Sequence, residues 1–310
     1  MIKLFTHTDL DGIACAVLAK IAFDNVDISY CNYDTIDKEV KEFISSEEIL
    51  DYSTCFITDI KISDELAKEI DERFKCFHLL DHHPTAMYLN KYNWCEVKEY
   101  LNDNTIKTCG TELYYKYLLD YGFLKIKNNI LVDIFVETVR DYDTYRWSTL
   151  GESGIICKKI NDLMYLYGRE KFIDWCLMKI YDFSFPELSK DDELVLSIKQ
   201  REIDEYIDKK DKELIITTIS DKTCGVVFAD KYFSELGNKL CKMHPEIDFA
   251  VMIDMASHTV SYRSIKDDID LGKDIASKFG GGGHPKSAGS IFSKDIVMNI
   301  VEKIFSEKGN

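Results

Sequence analysis

Along the first half of the chain, short apolar or β-branched runs alternate with longer segments whose apolar positions recur every three to four residues. IKLFTH (2–7), VDISYCNY (26–33), CFITDI (55–60) and CFHLLDHH (76–83) have the length and residue types of strands. Between them, GIACAVLAKIAF (12–23), IDKEVKEFI (36–44) and SDELAKEIDERF (63–74) carry helical periodicity, and Ser63 is placed to cap the last of these. Strand and helix in alternation predict an α/β fold: a mainly parallel sheet with helices on both faces. Ligands of such sheets collect at the carboxyl ends of the strands.

From about 107 to 180 the pattern is mainly helical, with VDIFVETVRDYDTY (132–145) forming one amphipathic stretch that runs into Asp141 and Asp143. Residues 184–213 are densely charged and predict a helical connector. Strand signals then return in LIITTI, CGVVFA, DFAVMIDM and TVSYRS, with helices expected near 232–243 and 270–279, before the run GGGGHPKSAG (280–289). The expected organisation is a catalytic domain over 1–185, a helical connector over 186–213 and a smaller α/β domain over 214–310. No internal repeat or low-complexity tract interrupts it.

Composition narrows the partners. At 310 residues, 45% hydrophobic and 30% charged, the chain reads as a globular protein of two domains. The formal net charge of -16 opposes sequence-independent binding along a long duplex, which relies on a basic face. An anionic ligand should therefore be small and met by a few local positive groups or by metals. No apolar run approaches the ~18 residues of a membrane span; AVLAKIAF is too short and carries Lys20. The ten cysteines never form a CxxC and sit mostly in apolar stretches, which favours free thiols and a cytoplasmic location. A homodimer remains open.

The chemistry gathers at the strand ends. His7, Asp9 and Asp11 follow the first run, Asp59 ends the third, and Asp81, His82 and His83 end the fourth. Aspartates this close repel one another unless a cation lies between them. A two-metal centre needs oxygen and imidazole ligands with a bridging carboxylate, and His7, Asp9, Asp11, Asp59, His82 and Asp143 would supply six. Mixed His and carboxylate donors suit Mn²⁺, with Mg²⁺ or Co²⁺ as alternatives. Singly, Asp9, Asp11 or Asp59 has a purely structural explanation as a helix cap; their convergence on one sheet edge is what favours a metal. His83 would meet a substrate phosphate or donate a proton, with Asp81 orienting an imidazole. His78 lies inside an apolar strand and reads as structural, and His244 and His258, expected to lie away from any acidic cluster, read the same way. In the glycine run, backbone N–H groups would cradle an anionic oxygen with His284 beside them, and Arg263 would fork onto a phosphate. A solvated loop is the plainer account of that run.

HTDLDG, ITD, LLDHH and YDT, in that order, resemble the four motifs of the DHH phosphoesterases, and GGGGHPKSAG is similar to the glycine-rich signature of the DHHA1 domain. The likeness spans nearly the whole chain, and within the family HTDLDG, VRDYDTY, VSYRS and GGGGHPKSAG look most like the B-type nanoRNases. It implies a dinuclear, usually Mn²⁺, centre in a cleft between two domains, ligated by His7, Asp9, Asp11, Asp59, His82 and Asp143. Asp143 is favoured over Asp141 by the YDT match. It also implies catalytic roles for His83 and Asp81, and substrate contacts from Arg263, Gly282, Gly283 and His284. The expected activity is metal-dependent hydrolysis of short oligoribonucleotides to mononucleotides. Alternatives are a cyclic or linear dinucleotide phosphodiesterase, a 3′-phosphoadenosine 5′-phosphate phosphatase and, from another class, a nucleotide-binding regulator.

Overall fold

The computed structural model describes residues 1–101, 105–124 and 130–306. The expectations for 125–129, inside the helical stretch, and for 307–310 lie outside the described residues. The chain divides into two compact units, Met1–Leu196 and Ser197–Asn310.

In the first unit the chain runs β1 (Ile2–Thr6), α1 (Leu10–Ala22), β2 (Val26–Tyr30), α2 (Ile36–Ser45), β3 (Thr54–Thr58), α3 (Asp64–Arg73), β4 (Phe77–Asp81) and β5 (Cys95–Val97). Helices α4 (Gly110–Asp120), α5 (Ile130–Asp143), α6 (Glu152–Tyr167) and α7 (Arg169–Tyr181) follow. The five strands are all parallel, in the order β2-β1-β3-β4-β5. Side chains alternate between the two faces, as the pleat requires. Leu4, Phe56 and Leu80 join a core with α1 and α4 to α7, whereas their neighbours Phe5, Ile57 and Leu79 join one with α2 and α3. Helix α1 is wrapped on every side: all of its residues but Lys20 are buried, and Ala14, Cys15, Ala16 and Ala19 let its neighbours come close. Ser63 caps α3 through the Leu66 N–H at 3.3 Å.

From β1 the chain steps to one side for β2 and then crosses to the other side for β3. This makes a switch point between β1 and β3, where the carboxyl ends of neighbouring strands open a crevice. The loops after β1, β3 and β4 all face that edge.

Helix α8 (Lys190–Lys212) crosses the division between the units. Beyond it lie β6 (Ile215–Ile219), β7 (Lys222–Phe228), α9 (Phe233–Met243), β8 (Phe249–Asp254), β9 (Thr259–Arg263), β10 (Gly282–His284), β11 (Ser287–Ile291) and α10 (Lys294–Phe305). They form a six-stranded sheet, β10-β11-β9-β8-β7-β6, in which only β7 and β8 pair in parallel. Ile203 and Ile207 of α8 pack with α9 on one face, and Ile269, Leu271, Ile275 and Ala276 cover the other.

One local expectation is corrected. Residues 270–279 do not form an α-helix; a π turn (Leu271–Ile275) leads into a 3₁₀ turn (Ala276–Phe279). Gly272 there sits so close to the Gly283 carbonyl oxygen that a Cβ would approach it to 2.3 Å, which ties the turn to the hairpin rather than to a helical axis. The glycine run, for which a solvated loop was the plainer alternative, includes an exposed strand instead. Gly282–His284 pairs antiparallel with β11, so part of its backbone hydrogen bonding is used within the sheet. No helix among the described residues is long and apolar enough to cross a membrane.

Candidate active site

The site is built where β1, β3 and β4 end. Asp9 caps α1, its Oδ1 accepting from the Gly12 N–H at 3.1 Å, so the structural role open to it in the sequence is one it does fill. Its other oxygen, Oδ2, stands 2.9 Å from His7 Nδ1. Gly12 is obligatory here, since a Cβ would lie 2.3 Å from the His7 carbonyl oxygen. Asp11 is buried and caps a different helix. Its carboxylate accepts from the N–H groups of Gly110 (2.6 Å) and Thr111 (2.8 Å), at the start of α4. The positive end of α4 helps to hold that charge. A Cβ on Gly110 would fall 2.6 Å from the Asp59 Cβ, so α4 meets the strand ends through a glycine.

Asp59 caps nothing. It is 1% exposed and its φ of 58° places it in the left-handed region, which Asp tolerates better than most side chains. That turn aims its two oxygens at different neighbours: Oδ2 lies 3.7 Å from His7 Nδ1 and Oδ1 lies 3.3 Å from His82 Nε2. His82 Nε2 is also 3.7 Å from Asp11 Oδ2 and 3.6 Å from Asp143 Oδ2, the latter at the end of α5. Asp141 is occupied elsewhere, by Arg146 at 2.8 Å and Arg140 at 3.3 Å.

The electrostatics show what the arrangement lacks. Burial, then the neighbouring charges of Asp11, Asp9 and Asp143, push the Asp59 carboxyl well above its usual range. Burial, then Asp11 and Asp9, push Asp143 up to about 8. Burial lowers His82 below an ordinary histidine. Asp9 differs: burial raises it, but the His7 contact and the Gly12 hydrogen bond outweigh that and hold it low. Among the described residues, His7 Nδ1, Asp59 Oδ2, Asp81 Oδ2 and His82 Nε2 are all buried atoms without a hydrogen-bond partner. Buried polar atoms are nearly always paired, and four orphans in one crevice call for a shared partner. Three groupings bring donor atoms within 4.8 Å of one another: His7, Asp9 and Asp59; Asp11, His82 and Asp143; and Asp59 with Asp81, His82 and His83. A divalent cation fits these donors and removes the penalty on each.

His83 stands beside the cluster. Asp81, fully buried, accepts from the His83 ring at Nδ1 (2.7 Å) and from the backbone N–H groups of His82 (2.8 Å) and His83 (3.3 Å). Burial alone would lower His83, but the Asp81 hydrogen bond and charge outweigh it and raise the imidazole.

In the second unit, His284 is in register with Ser287, and Ser287 with Arg263, so these residues share one row across β10, β11 and β9. The Arg263 stem packs on Gly237, and its guanidinium donates to the Tyr262 carbonyl (2.8 Å) and Ser234 Oγ (3.2 Å). Gly283, at φ 142°, is required by packing, since a Cβ would meet Ala288 at 2.6 Å; at Gly282 a Cβ would meet nothing within 4 Å.

His78 rests against Tyr117 and Phe56, its imidazole lowered by burial, as suits a structural residue. His244 corrects its expectation: folding brings Asp211 to 2.6 Å, Glu246 two residues along stands at 3.2 Å, and these carboxylates raise it. Two contributors escaped the sequence. One is the start of α4, about a hundred residues from the Asp11 it holds. The other is Tyr33, whose hydroxyl lies 3.2 Å from His83 Nε2 and whose ring is 4.9 Å from that of His7. Its place just past the carboxyl end of β2 was the available signal.

A parallel sheet whose switch point gathers buried aspartates and histidines around orphaned donor atoms has the donor set of a divalent-cation site. No family model matches the chain. Oligoribonuclease NrnB of Bacillus subtilis (strain 168) is 33% identical over 313 residues, covering 98% of this chain and 76% of that protein. The 3′,5′-cyclic-nucleotide phosphodiesterase of Helicobacter pylori (strain ATCC 700392 / 26695) is 23% identical over 97% of each chain. The structure of RecJ from Thermus thermophilus in complex with Mn²⁺ has the same fold, with a TM-score of 0.60 at 12% identity, covering 98% of this chain and 51% of that one. The chain belongs to the DHH phosphoesterase family, with the nanoRNase-like oligoribonucleases.

Proposed function

We propose that the protein is a divalent-cation-dependent phosphodiesterase that hydrolyses short oligoribonucleotides to mononucleotides. The observation that carries this reading is Asp59, a buried carboxylate whose oxygens face two separate donor groups, His7 with Asp9 and His82 with Asp11 and Asp143. Those six residues are the proposed ligands of two cations, with Asp59 shared. Mn²⁺ is supported by the mixed imidazole and carboxylate set and by the Mn²⁺ complex of RecJ, with Mg²⁺ or Co²⁺ as substitutes. When bound, such a pair lowers the pKa of water and neutralises charge at the phosphoryl group.

The side chains supply the rest. Asp81 holds His83 through Nδ1, so the ring keeps one orientation and presents Nε2. The Asp81 contact favours the protonated form of His83, and in that form the ring would donate from Nε2 to a phosphoryl oxygen as negative charge builds there. In the second unit, Arg263, Gly282, Gly283 and His284 are the proposed substrate contacts. The row that joins His284 to Arg263 supports this, as does the open space at Gly282. The name of the Bacillus subtilis relative supports the oligoribonucleotide as substrate, and the charge of -16 supports short strands over long duplexes. The name of the Helicobacter pylori relative favours a second reading, hydrolysis of a cyclic nucleotide.

A 5′-labelled RNA ladder of two to twenty-four nucleotides, assayed with Mn²⁺ beside cyclic nucleotides and 3′-phosphoadenosine 5′-phosphate, separates these. Mononucleotides released fastest from the shortest RNAs are expected. Preference for a cyclic nucleotide would move the second reading to the front, and no turnover with metal bound would favour a regulator.

A further inference from the structure

Tyr33 has no part in the ligand set above, yet it reaches both sides of the site. Its hydroxyl lies 3.2 Å from His83 Nε2, and its ring stands 4.9 Å from the His7 ring at 46°. It is 54% exposed, unusual for a tyrosine in hydrogen-bond contact with a half-buried histidine. The turn that carries it is tied down on either side. Cys31 N–H donates to the Thr6 carbonyl (2.8 Å), Thr8 Oγ1 donates to Asn32 Oδ1 (3.0 Å), and Asn32 N–H donates to Thr35 Oγ1 (3.0 Å). Both the β1 loop and the start of α2 therefore anchor the turn from which Tyr33 extends to His83.

The position of the hydroxyl is informative. Asp81 occupies Nδ1 of His83, which leaves Nε2 as the one ring nitrogen able to meet a substrate. Nε2 has one in-plane direction for hydrogen bonding, and the phenol lies on that side of the ring edge, so an oxygen that takes the Nε2 hydrogen bond comes beside the Tyr33 hydroxyl. We infer that Tyr33 is a substrate-binding residue that, together with His83, grips one phosphoryl oxygen of the scissile phosphodiester. The phenol O–H donates to that oxygen from one side and His83 Nε2 from the other, and the exposed ring stays on the solvent side of His7. This inference rests on the reading of the site as a phosphodiesterase.

The test compares wild type, Tyr33→Phe and Tyr33→Ala on an RNA dinucleotide and on bis(p-nitrophenyl) phosphate, with Mn²⁺ affinity measured by titration calorimetry. Phenylalanine keeps the ring and loses only the donor. Tyr33→Phe is expected to raise KM about tenfold on both substrates, the size of one hydrogen bond to a charged oxygen. Mn²⁺ affinity should not change. A double-mutant cycle with His83→Asn should show the two losses to be less than additive, because both donors serve one oxygen. Unchanged KM in Tyr33→Phe, or a loss of Mn²⁺ affinity that accounts for its lower activity, would overturn the inference. A wild type inactive on every phosphodiester would instead overturn the reading beneath it.

Discussion

At Asp59 the backbone turns left-handed directly after β3, and the carboxylate is buried among Asp9, Asp11 and Asp143. Both features oppose stability: the backbone conformation costs about 1–3 kcal/mol, and the buried like charges add to it. A side chain held this way without a cation is a stability loss kept for function. Asp59→Asn keeps a residue that tolerates the left-handed turn and removes the charge. Its melting temperature in chelator, at a pH high enough to ionise Asp59 in the wild type, should rise by about 2–4 °C for each kcal/mol recovered, while turnover with Mn²⁺ should fall by about a thousandfold or more. Calorimetry and steady-state kinetics on the same preparation check both signs. Asp9, Asp11, Asp59 and Asp81 were legible because they gather at the ends of strands that the sequence marks clearly, whereas Asp143, at the end of α5, was legible through its YDT motif. Tyr33 and Gly110–Thr111 were not, because only folding brings them beside His83 and Asp11.

Elements were legible where their periodicity is long. The alternation of apolar runs and helical stretches through residue 83 defines four of the five parallel strands and three of the helices that the structure contains. Strand β5 was missed because Cys95–Val97 is too short to alternate, and it exists only by pairing with β4. Residues 270–279 misled because an apolar spacing compatible with a helix is overridden by the close approach of Gly272 to the β10 hairpin. That hairpin yields a prediction at its own scale. Gly283→Ala should lower the melting temperature of the protein, since it strains a left-handed position and strikes Ala288. Gly282→Ala should leave melting unchanged and raise KM for RNA several-fold, because its added methyl meets only the space proposed for substrate. Thermal melts and kinetics of the pair distinguish packing from binding.

Across the whole molecule, acidity and the site are linked through pH. Asp143 is raised to about 8 from an ordinary value of 3.8 by burial and by its acidic neighbours, and Asp59 is raised as well. In the metal-free chain, the stability that these protonated carboxyls contribute is present below their unfolded values. The Asp143 share is lost as pH rises through its folded value near 8. A cation binds the deprotonated forms, so its affinity should climb over the same range. Mn²⁺ should therefore raise the melting temperature more at about pH 9 than at about pH 6, and a reversed order would contradict the assignment of Asp143 as a ligand.

The central claim is that one crevice holds two cations through a shared Asp59. Calorimetric titration of Mn²⁺ into chelator-treated protein tests it most directly, with Asp59→Asn titrated alongside. Two equivalents per chain are expected for the wild type, with both sites weakened in the variant. A single equivalent in the wild type, or a variant that binds Mn²⁺ as the wild type does, would contradict it.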